Sequence, residues 1–306
     1  MDVYDGLKGV IKGEVKLDKK TLKKYSIDAS LFEVMPRAVV FPKDAEDIKS
    51  LVDKIWEAHT IEAKKDNPDL SLTVRSAGTD MSGGPLNDSI IVDIQKYINK
   101  IIRIETDGDV GYGVVEPGAF YRDFEKESLK KKLLMPSYPA SRRLCSVGGM
   151  VSNNAGGEKT LKYGKTEDYV REVKVVLRDG NEYIFYKMKK SEIDEKMKLQ
   201  SVEGEVYRDL FKLLDTNYDA IKEAKPNVSK NSAGYFLWNV WDRESGTFDV
   251  PKLITGSQGT LGIVTEITFD LIKPKEHSTL LIIFLKDIGR LADVVGEILK
   301  FKPESF

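Results

Sequence analysis

Four glycine-containing segments carry the chemistry this chain can be expected to do. The first, Arg75-Ser76-Ala77-Gly78-Thr79-Asp80-Met81-Ser82-Gly83-Gly84, follows a strand-like run ending at Val74. A turn rich in glycine and small residues lets several backbone N–H groups point at one anion, which suits a pyrophosphate. The second and third are Pro139-Ala140-Ser141-Arg142-Arg143-Leu144-Cys145-Ser146-Val147-Gly148-Gly149 and Asn153-Asn154-Ala155-Gly156-Gly157. Paired glycines among small residues let backbone lie flat against a planar ligand, or else pack closely on a helix. The fourth, Gly256-Ser257-Gln258-Gly259-Thr260-Leu261-Gly262-Ile263-Val264, precedes a strand pattern. Taken singly, each segment is equally well explained as a tight turn or strand entry.

Several other chemistries are excluded. No Gly-x-Gly-x-x-Gly opens a helix after a first strand, so a Rossmann dinucleotide site is not encoded. Gly164-Lys165-Thr166 has the end of a P-loop, but Lys159 stands where its first glycine is required. One cysteine, Cys145, allows no internal disulfide, and together with only His59 and His277 it offers no metal-ligand spacing. A net charge of -1, from 48 Lys+Arg against 49 Asp+Glu, gives no basic field for nucleic acid or an acidic membrane. The N-terminus has no signal-peptide pattern, and no apolar run approaches the roughly 20 residues of a membrane span. These features predict a cytoplasmic protein, with peripheral membrane docking through a partner left open. The 306 residues, 41% hydrophobic and 32% charged, suffice for two globular domains.

The elements that must position these segments follow from periodicity. Residues 1–35 read as a leader of short helices. Val39–Phe41 predicts a strand, and Asp44 caps a helix with Ile48, Leu51, Val52, Ile55 and Trp56 at helical spacing. Leu70–Val74, Ser89–Ile94, Lys100–Glu105 and Tyr112–Glu116 predict strands, the last two joined by a turn at Asp107-Gly108-Asp109. Tyr121–Lys131 predicts a helix, followed by an irregular stretch over 136–164. Tyr169–Leu177 and Glu182–Tyr186 flank the hairpin signal Asp179-Gly180. Residues 187–201 predict a charged loop or weak helix, and Glu205–Ala224 a helix ended by Pro226. The block 187–226 reads as an insertion, its lysines as a solvated face. Ile263–Leu271 predicts a strand, broken by Pro274. A new unit then begins, with a strand over Ser278–Leu285, an N-cap at Asp287 and a helix carrying Leu291, Val294, Val295, Ile298 and Leu299. A lone strand and helix cannot bury both their apolar faces, which predicts a second domain that is cut short or completed by something else.

In this order and spacing, the four segments and Lys230-Asn231-Ser232-Ala233-Gly234-Tyr235 resemble the FAD-binding domain of the vanillyl-alcohol oxidase/p-cresol methylhydroxylase (PCMH-type) superfamily. The nearest branch is the FAD-linked oxidases that include D-lactate dehydrogenase and the glycolate oxidase flavin subunit. The likeness runs from about Pro36 to about Leu271 and includes Leu161-Lys162-Tyr163-Gly164. It implies an α+β fold: a leader over 1–35, a FAD-binding domain of two α+β subdomains over 36–274, and the start of an incomplete α/β cap over 275–306. It implies that Val74, Arg75, Ser76, Ala77, Gly78, Thr79 and Asp80, with Ser82, hold the FAD pyrophosphate through backbone amides. Pro139, Ala140, Ser141, Cys145, Ser146, Gly148 and Gly149 would line the flavin and ribityl chain with Asn153, Asn154, Ala155 and Gly156. Gln258, Gly259, Gly262, Ile263 and Val264 would close over the cofactor.

Departures from the family pattern sharpen the expectation. Ser76 and Asp80 replace glycines, and an aspartate beside a pyrophosphate is unfavourable unless its side chain turns away. Gln258 replaces the usual glutamate. Thr79 stands where covalent-flavin members carry histidine, which implies non-covalent FAD, and Cys145 reads as a packing residue. The implied reaction is oxidation of a small D-2-hydroxy acid, such as D-lactate or glycolate, by hydride transfer to flavin N5, with an unidentified electron acceptor. In the family the catalytic base and the metal-binding histidines lie in the cap, so no catalytic residue and no metal ligand is assigned in this chain. The chain alone is then expected to be inactive. Another enzyme on the same domain (an alkyl-glycerone-phosphate synthase type or a sugar oxidase) stands as an alternative, and so does a non-catalytic flavin-binding subunit. A second chain or a second copy would complete the cap.

Overall fold

The computed structural model describes residues 3–58, 70–228 and 231–305. His59 and Lys230, singled out above, lie outside them. The first half contains α1 (Val3–Gly6), β1 (Glu14–Lys16), α2 (Lys19–Tyr25), β2 (Ala38–Phe41), α3 (Ala45–Ala58), β3 (Leu72–Arg75) and β4 (Ile90–Asp93). The four strands form one sheet in the order β1-β2-β4-β3, with β1 antiparallel to β2 and the other pairs parallel. The uninterrupted apolar character of β2 and β4 has its reason here: both are buried along their whole length, as the inner strands of a covered parallel sheet must be. Asp44 caps α3 by accepting the amide of Asp47 at 3.0 Å, and Ile48, Leu51 and Ile55 pack on Val40, Ile90 and Val92. Trp56, grouped with them by spacing, is exposed.

The leader is not purely helical. Residues 14–16 add β1 to the first sheet, and the buried Asp47 carboxylate holds its approach by accepting the amides of Lys12, Gly13 and Lys43 at 2.9–3.0 Å. Three residues carry too little alternation to announce a strand, and only the partner β2 makes one.

The second half contains β5 (Ile101–Asp107), β6 (Val110–Val115), α4 (Tyr121–Lys130), α5 (Val147–Ser152), α6 (Thr160–Tyr163), β7 (Val170–Val176), β8 (Glu182–Lys189), α7 (Lys190–Lys196), α8 (Val202–Thr216), α9 (Tyr218–Glu223), β9 (Trp241–Asp242), β10 (Thr247–Asp249), α10 (Pro251–Ile254), β11 (Ile263–Ile272) and α11 (Leu291–Leu299). Seven antiparallel strands form the second sheet in the order β5-β6-β11-β7-β8-β10-β9. The predicted hairpin turns are present, with Gly108 and Gly180 at φ +62° and +69°. The ten-residue β11 returns late in the chain to lie between β6 and β7. Its Ile267, Phe269 and Leu271 are fully buried, and Phe269 meets Phe124 of α4 at 5.8 Å between ring centres.

Three expectations are corrected. The block 187–226 is built into the sheet: β8 runs on to Lys189 and pairs with β10, and Tyr207 and Leu214 of α8 enter the main core. The single helix expected over Glu205–Ala224 is two, divided at Asn217, whose side chain donates back to the Leu213 carbonyl at 2.8 Å and competes with the helical ladder. The strand expected at Ser278–Leu285 does not form. Those residues meet no partner strand, and Leu280 and Phe284 are 83% and 91% exposed. An extended segment without a neighbour has nothing to bond its N–H and C=O groups. Asp287 nevertheless caps the turn that leads into α11, accepting the Gly289 amide at 2.9 Å. The tail is tied back near α6, where Glu304 accepts the Tyr163 hydroxyl at 2.7 Å and pairs with Lys275 at 3.2 Å.

The two sheets are joined where Val176 of β7 and Ile263 of β11 enter the core of the first. The cleft that holds the glycine segments lies beside this junction.

Candidate FAD site

The first wall is the loop that leaves β3. Ile94 donates its amide to the Arg75 carbonyl at 3.1 Å, which prolongs the parallel ladder one step before the chain turns. Gly78 then adopts φ +66°, in the left-handed region where a side chain is disfavoured. Among the described residues no acceptor takes the amides of Ser76, Ala77, Gly78, Thr79 or Asp80. Five consecutive N–H groups without a protein acceptor in a half-buried turn are free to take an anion.

The Asp80 carboxylate is engaged within its own loop. Its Oδ2 accepts the Ser82 hydroxyl at 2.6 Å, the Ser82 amide at 3.3 Å and the Gly84 amide at 2.9 Å. Arg75 points out of the cleft, donating to the carbonyls of Tyr25 and Ile27 at 3.3 and 2.9 Å.

The second wall is α5 and its flanks. A Cβ added at Gly148 would lie 2.6 Å from Pro117 Cβ, so glycine lets α5 approach that turn; one at Gly149 would stand open to the cleft, 3.8 Å from Ser76. Ser146 accepts a hydrogen bond from Gln95 Nε2 at 3.1 Å. Burial pushes the Cys145 thiol up to about 11, so it is a neutral packing group at ordinary pH.

The third wall is the segment before β11. It is laid along α5 by the amides of Gly256 and Gln258, which donate to Val151 and Ser152 at 2.8 and 2.9 Å. Gln258 adopts φ +57° and reaches Asn153 Oδ1 through Nε2 at 3.0 Å. A Cβ at Gly259 would meet only open space, whereas one at Gly262 would lie 2.5 Å from Val175 Cγ1.

The three walls border one open cleft, with about 1000 Å³ of space between them when the solvent at its mouth is included. Most residues expected at the cofactor line it: Val74, Ser76, Ala77, Gly78, Thr79, Asp80, Pro139, Ser141, Cys145, Ser146, Gly148, Gly149, Asn153, Ala155, Gln258, Gly259, Gly262, Ile263 and Val264. Five stand outside the lining for separate reasons. Arg75 is turned toward the leader, and Ser82 is bound to Asp80. Ala140 is on the outer surface. Asn154 accepts the Glu167 amide at 3.0 Å, and Gly156 packs on Thr160.

Sequence reasoning missed Gly84, Pro85, Met150, Ser152 and Ser257, which adjoin the motifs and were within reach of a wider window. It also missed Ile94 and Pro117, which follow β4 and β6 and carry no local signal. Among the described lining residues Asp80 is the one charged side chain. An anionic ligand would therefore be held by backbone dipoles rather than by lysine or arginine. A long, glycine-walled cleft with five unpaired amides at one side fits a dinucleotide diphosphate.

A two-sheet α+β domain with such a cleft defines a class, and comparison with known proteins identifies it. The family profile described as "FAD binding domain" matches residues 36–186. Residues 36–186 thus match a FAD-binding domain of the PCMH type. The chain is 28% identical to a D-2-hydroxyglutarate dehydrogenase of Pseudomonas putida over 271 residues, which cover 88% of this chain and 26% of that protein. Over 282 residues it is 28% identical to the glycolate oxidase subunit GlcD of Bacillus subtilis, covering 91% and 46%. With a D-lactate dehydrogenase of Anaerostipes hadrus it shares 30% identity over 216 residues, covering 70% and 34%. The chain thus spans between about a quarter and a half of the length of these relatives. An alkyldihydroxyacetonephosphate synthase structure superposes with a TM-score of 0.59 at 16% identity, over 90% of this chain and 41% of that one, and shares the fold. Among the described residues no helix is long and apolar enough to cross a membrane.

Proposed function

We propose that this chain binds FAD non-covalently in the cleft between its two sheets and is the FAD-bearing portion of an oxidoreductase acting on a D-2-hydroxy acid such as D-lactate or glycolate. The observation that carries the reading is the run of unpaired amides at Ser76–Asp80 facing a wall of glycine and small residues. When bound, FAD supplies the hydride acceptor for oxidation of a CH–OH group. The chain's own residues bind and orient it. The amides of 76–80 take the pyrophosphate, while Gly148, Gly149, Ser146 and Ala155 lie against the ribityl chain and ring. Gln258–Val264 covers the cofactor and excludes water. Non-covalent binding is supported by Thr79 in the first loop and by a Cys145 thiol that burial keeps protonated.

The relatives named for dehydrogenation of D-2-hydroxyglutarate and D-lactate support the substrate class. One relative is by name a subunit, and the exposed apolar stretch over 280–288 supports a further chain or a second copy beside this one. The same stretch favours a second reading, in which the chain carries FAD for a complex whose catalytic base lies elsewhere. The test is an absorption spectrum of the purified protein, followed by acid precipitation. Flavin bands whose colour passes wholly into the supernatant are expected. A protein that takes up no flavin, or a yellow pellet, would overturn the binding or the non-covalent claim respectively.

A further inference from the structure

The loop that would hold the pyrophosphate gives none of its five amides to the protein, so its shape must be imposed from behind. Three contacts do this, and all come from residues 25–34, outside the 36–186 matched to the family profile. The Gly78 carbonyl accepts the Ala29 amide at 3.2 Å. The Phe32 ring lies against Gly83, 2.9 Å from where a Cβ would stand. The Arg75 guanidinium lies under Gly78, its Nη2 2.5 Å from a would-be Cβ, and bonds the Tyr25 and Ile27 carbonyls. It also sits over the Tyr25 ring at 5.1 Å. Tyr25 is fixed in turn, its hydroxyl donating to Asp93 Oδ2 at 2.6 Å while Oδ1 accepts the Lys96 amide at 3.0 Å.

We infer that Arg75 is a positioning residue for the phosphate-binding loop, clamping it to the N-terminal segment 25–34, which is thereby an integral part of the cofactor site. The inference rests on the FAD reading above. Arginine suits the task because its planar fork can serve two carbonyls and stack on a ring at once; lysine offers a single point charge and no plane. The cation is also directly behind the amides that face the ligand.

Affinities for FAD, ADP and riboflavin, measured by calorimetry on the full chain, test this. Wild type, Arg75→Gln, Arg75→Lys and Phe32→Ala are compared, each checked by far-UV circular dichroism. Arg75→Gln is expected to bind FAD and ADP at least about tenfold more weakly while riboflavin binding is unchanged, since only ligands carrying a diphosphate use the loop. Arg75→Lys should recover only part of that loss. Phe32 is 59% exposed, so Phe32→Ala is expected to fold and should weaken the same two ligands even if Arg75→Gln does not fold. Unchanged FAD affinity in Arg75→Gln or, where that variant does not fold, in Phe32→Ala overturns the inference. An equal loss for riboflavin, which marks a general structural defect, does the same. A wild type that binds neither FAD nor ADP overturns the FAD reading itself.

Discussion

Gly78 meets two demands at once. Its φ of +66° disfavours any side chain, and the space a Cβ would need is held by Arg75. Gly78→Val is therefore expected to abolish FAD binding while the far-UV spectrum stays native, checked by flavin content after saturation and desalting. Full flavin content would show that the loop is misplaced. Cys145 makes a second residue-scale prediction. Its folded pKa is raised to about 11 by burial, so at neutral pH the thiol is protonated, and the reactive thiolate appears only as pH rises toward that value. Iodoacetamide should label the native protein very slowly at pH 8 and faster only near pH 10–11. The urea-unfolded chain should label with the pH dependence of an ordinary thiol, near about 8.5. Equal rates for the two states at pH 8 would contradict a buried, protonated Cys145.

At the scale of elements, β11 is central to the second sheet. It lies between β6 and β7, its entry forms the third wall of the cleft, and its Ile263 reaches the core of the other sheet. Phe269→Ala removes a fully buried ring from the middle of that strand and should cost about 3–5 kcal/mol in urea unfolding. A loss below about 1 kcal/mol would mean that the strand is not central. Gly148 acts at the join of α5 with the Pro117 turn. The helix is short and can approach only because no Cβ intervenes. Local periodicity could not announce α5, whose six residues include two glycines, nor the Asn217 break between α8 and α9. Both depend on what the backbone meets in space.

At the scale of the whole molecule, the proposed cofactor cleft has no free acid–base group among its described lining residues. Among its described lining residues Asp80 is committed to Ser82 and Gly84, and Cys145 is buried. A general base must reach the substrate hydroxyl to about 2.6–3.2 Å, and neither is placed to do so. Stopped-flow mixing of the FAD-loaded chain with D-lactate, glycolate or D-2-hydroxyglutarate should leave the flavin spectrum unchanged. Rapid bleaching would show that a base lies within these residues. Leu281 and Phe284 are 70% and 91% exposed, so their stretch is expected to add little to the stability of this chain by itself. Leu281→Asp combined with Phe284→Asp should alter unfolding free energy by no more than about 0.5 kcal/mol. A larger loss would show that these side chains are covered in solution.

The amino-acid sequence alone pointed to a FAD-binding domain and to most of the segments that line the cleft. Glycine and small-residue segments leave a local chemical mark, and Ser76–Asp80, Gly148–Gly149, Gln258–Gly259 and Gly262–Val264 all reached the cleft. It also determined the strands whose alternation or unbroken burial is strong, such as β2, β4 and β11, and the turn glycines at 108 and 180. Tertiary structure decided what depends on partners distant in the chain. It placed β1 beside β2 and β11 between two much earlier strands. It brought Ile94 and Pro117 to the cleft, and it turned Arg75 and Asn154 out of the lining that their motifs suggested. It also left Ser278–Leu285 without the neighbour a strand requires. The physical reason is the same in each case. Conformational freedom and side-chain type are properties of a residue, whereas a hydrogen-bond ladder, a buried contact or a side chain's direction exists only when the second group has been brought into place.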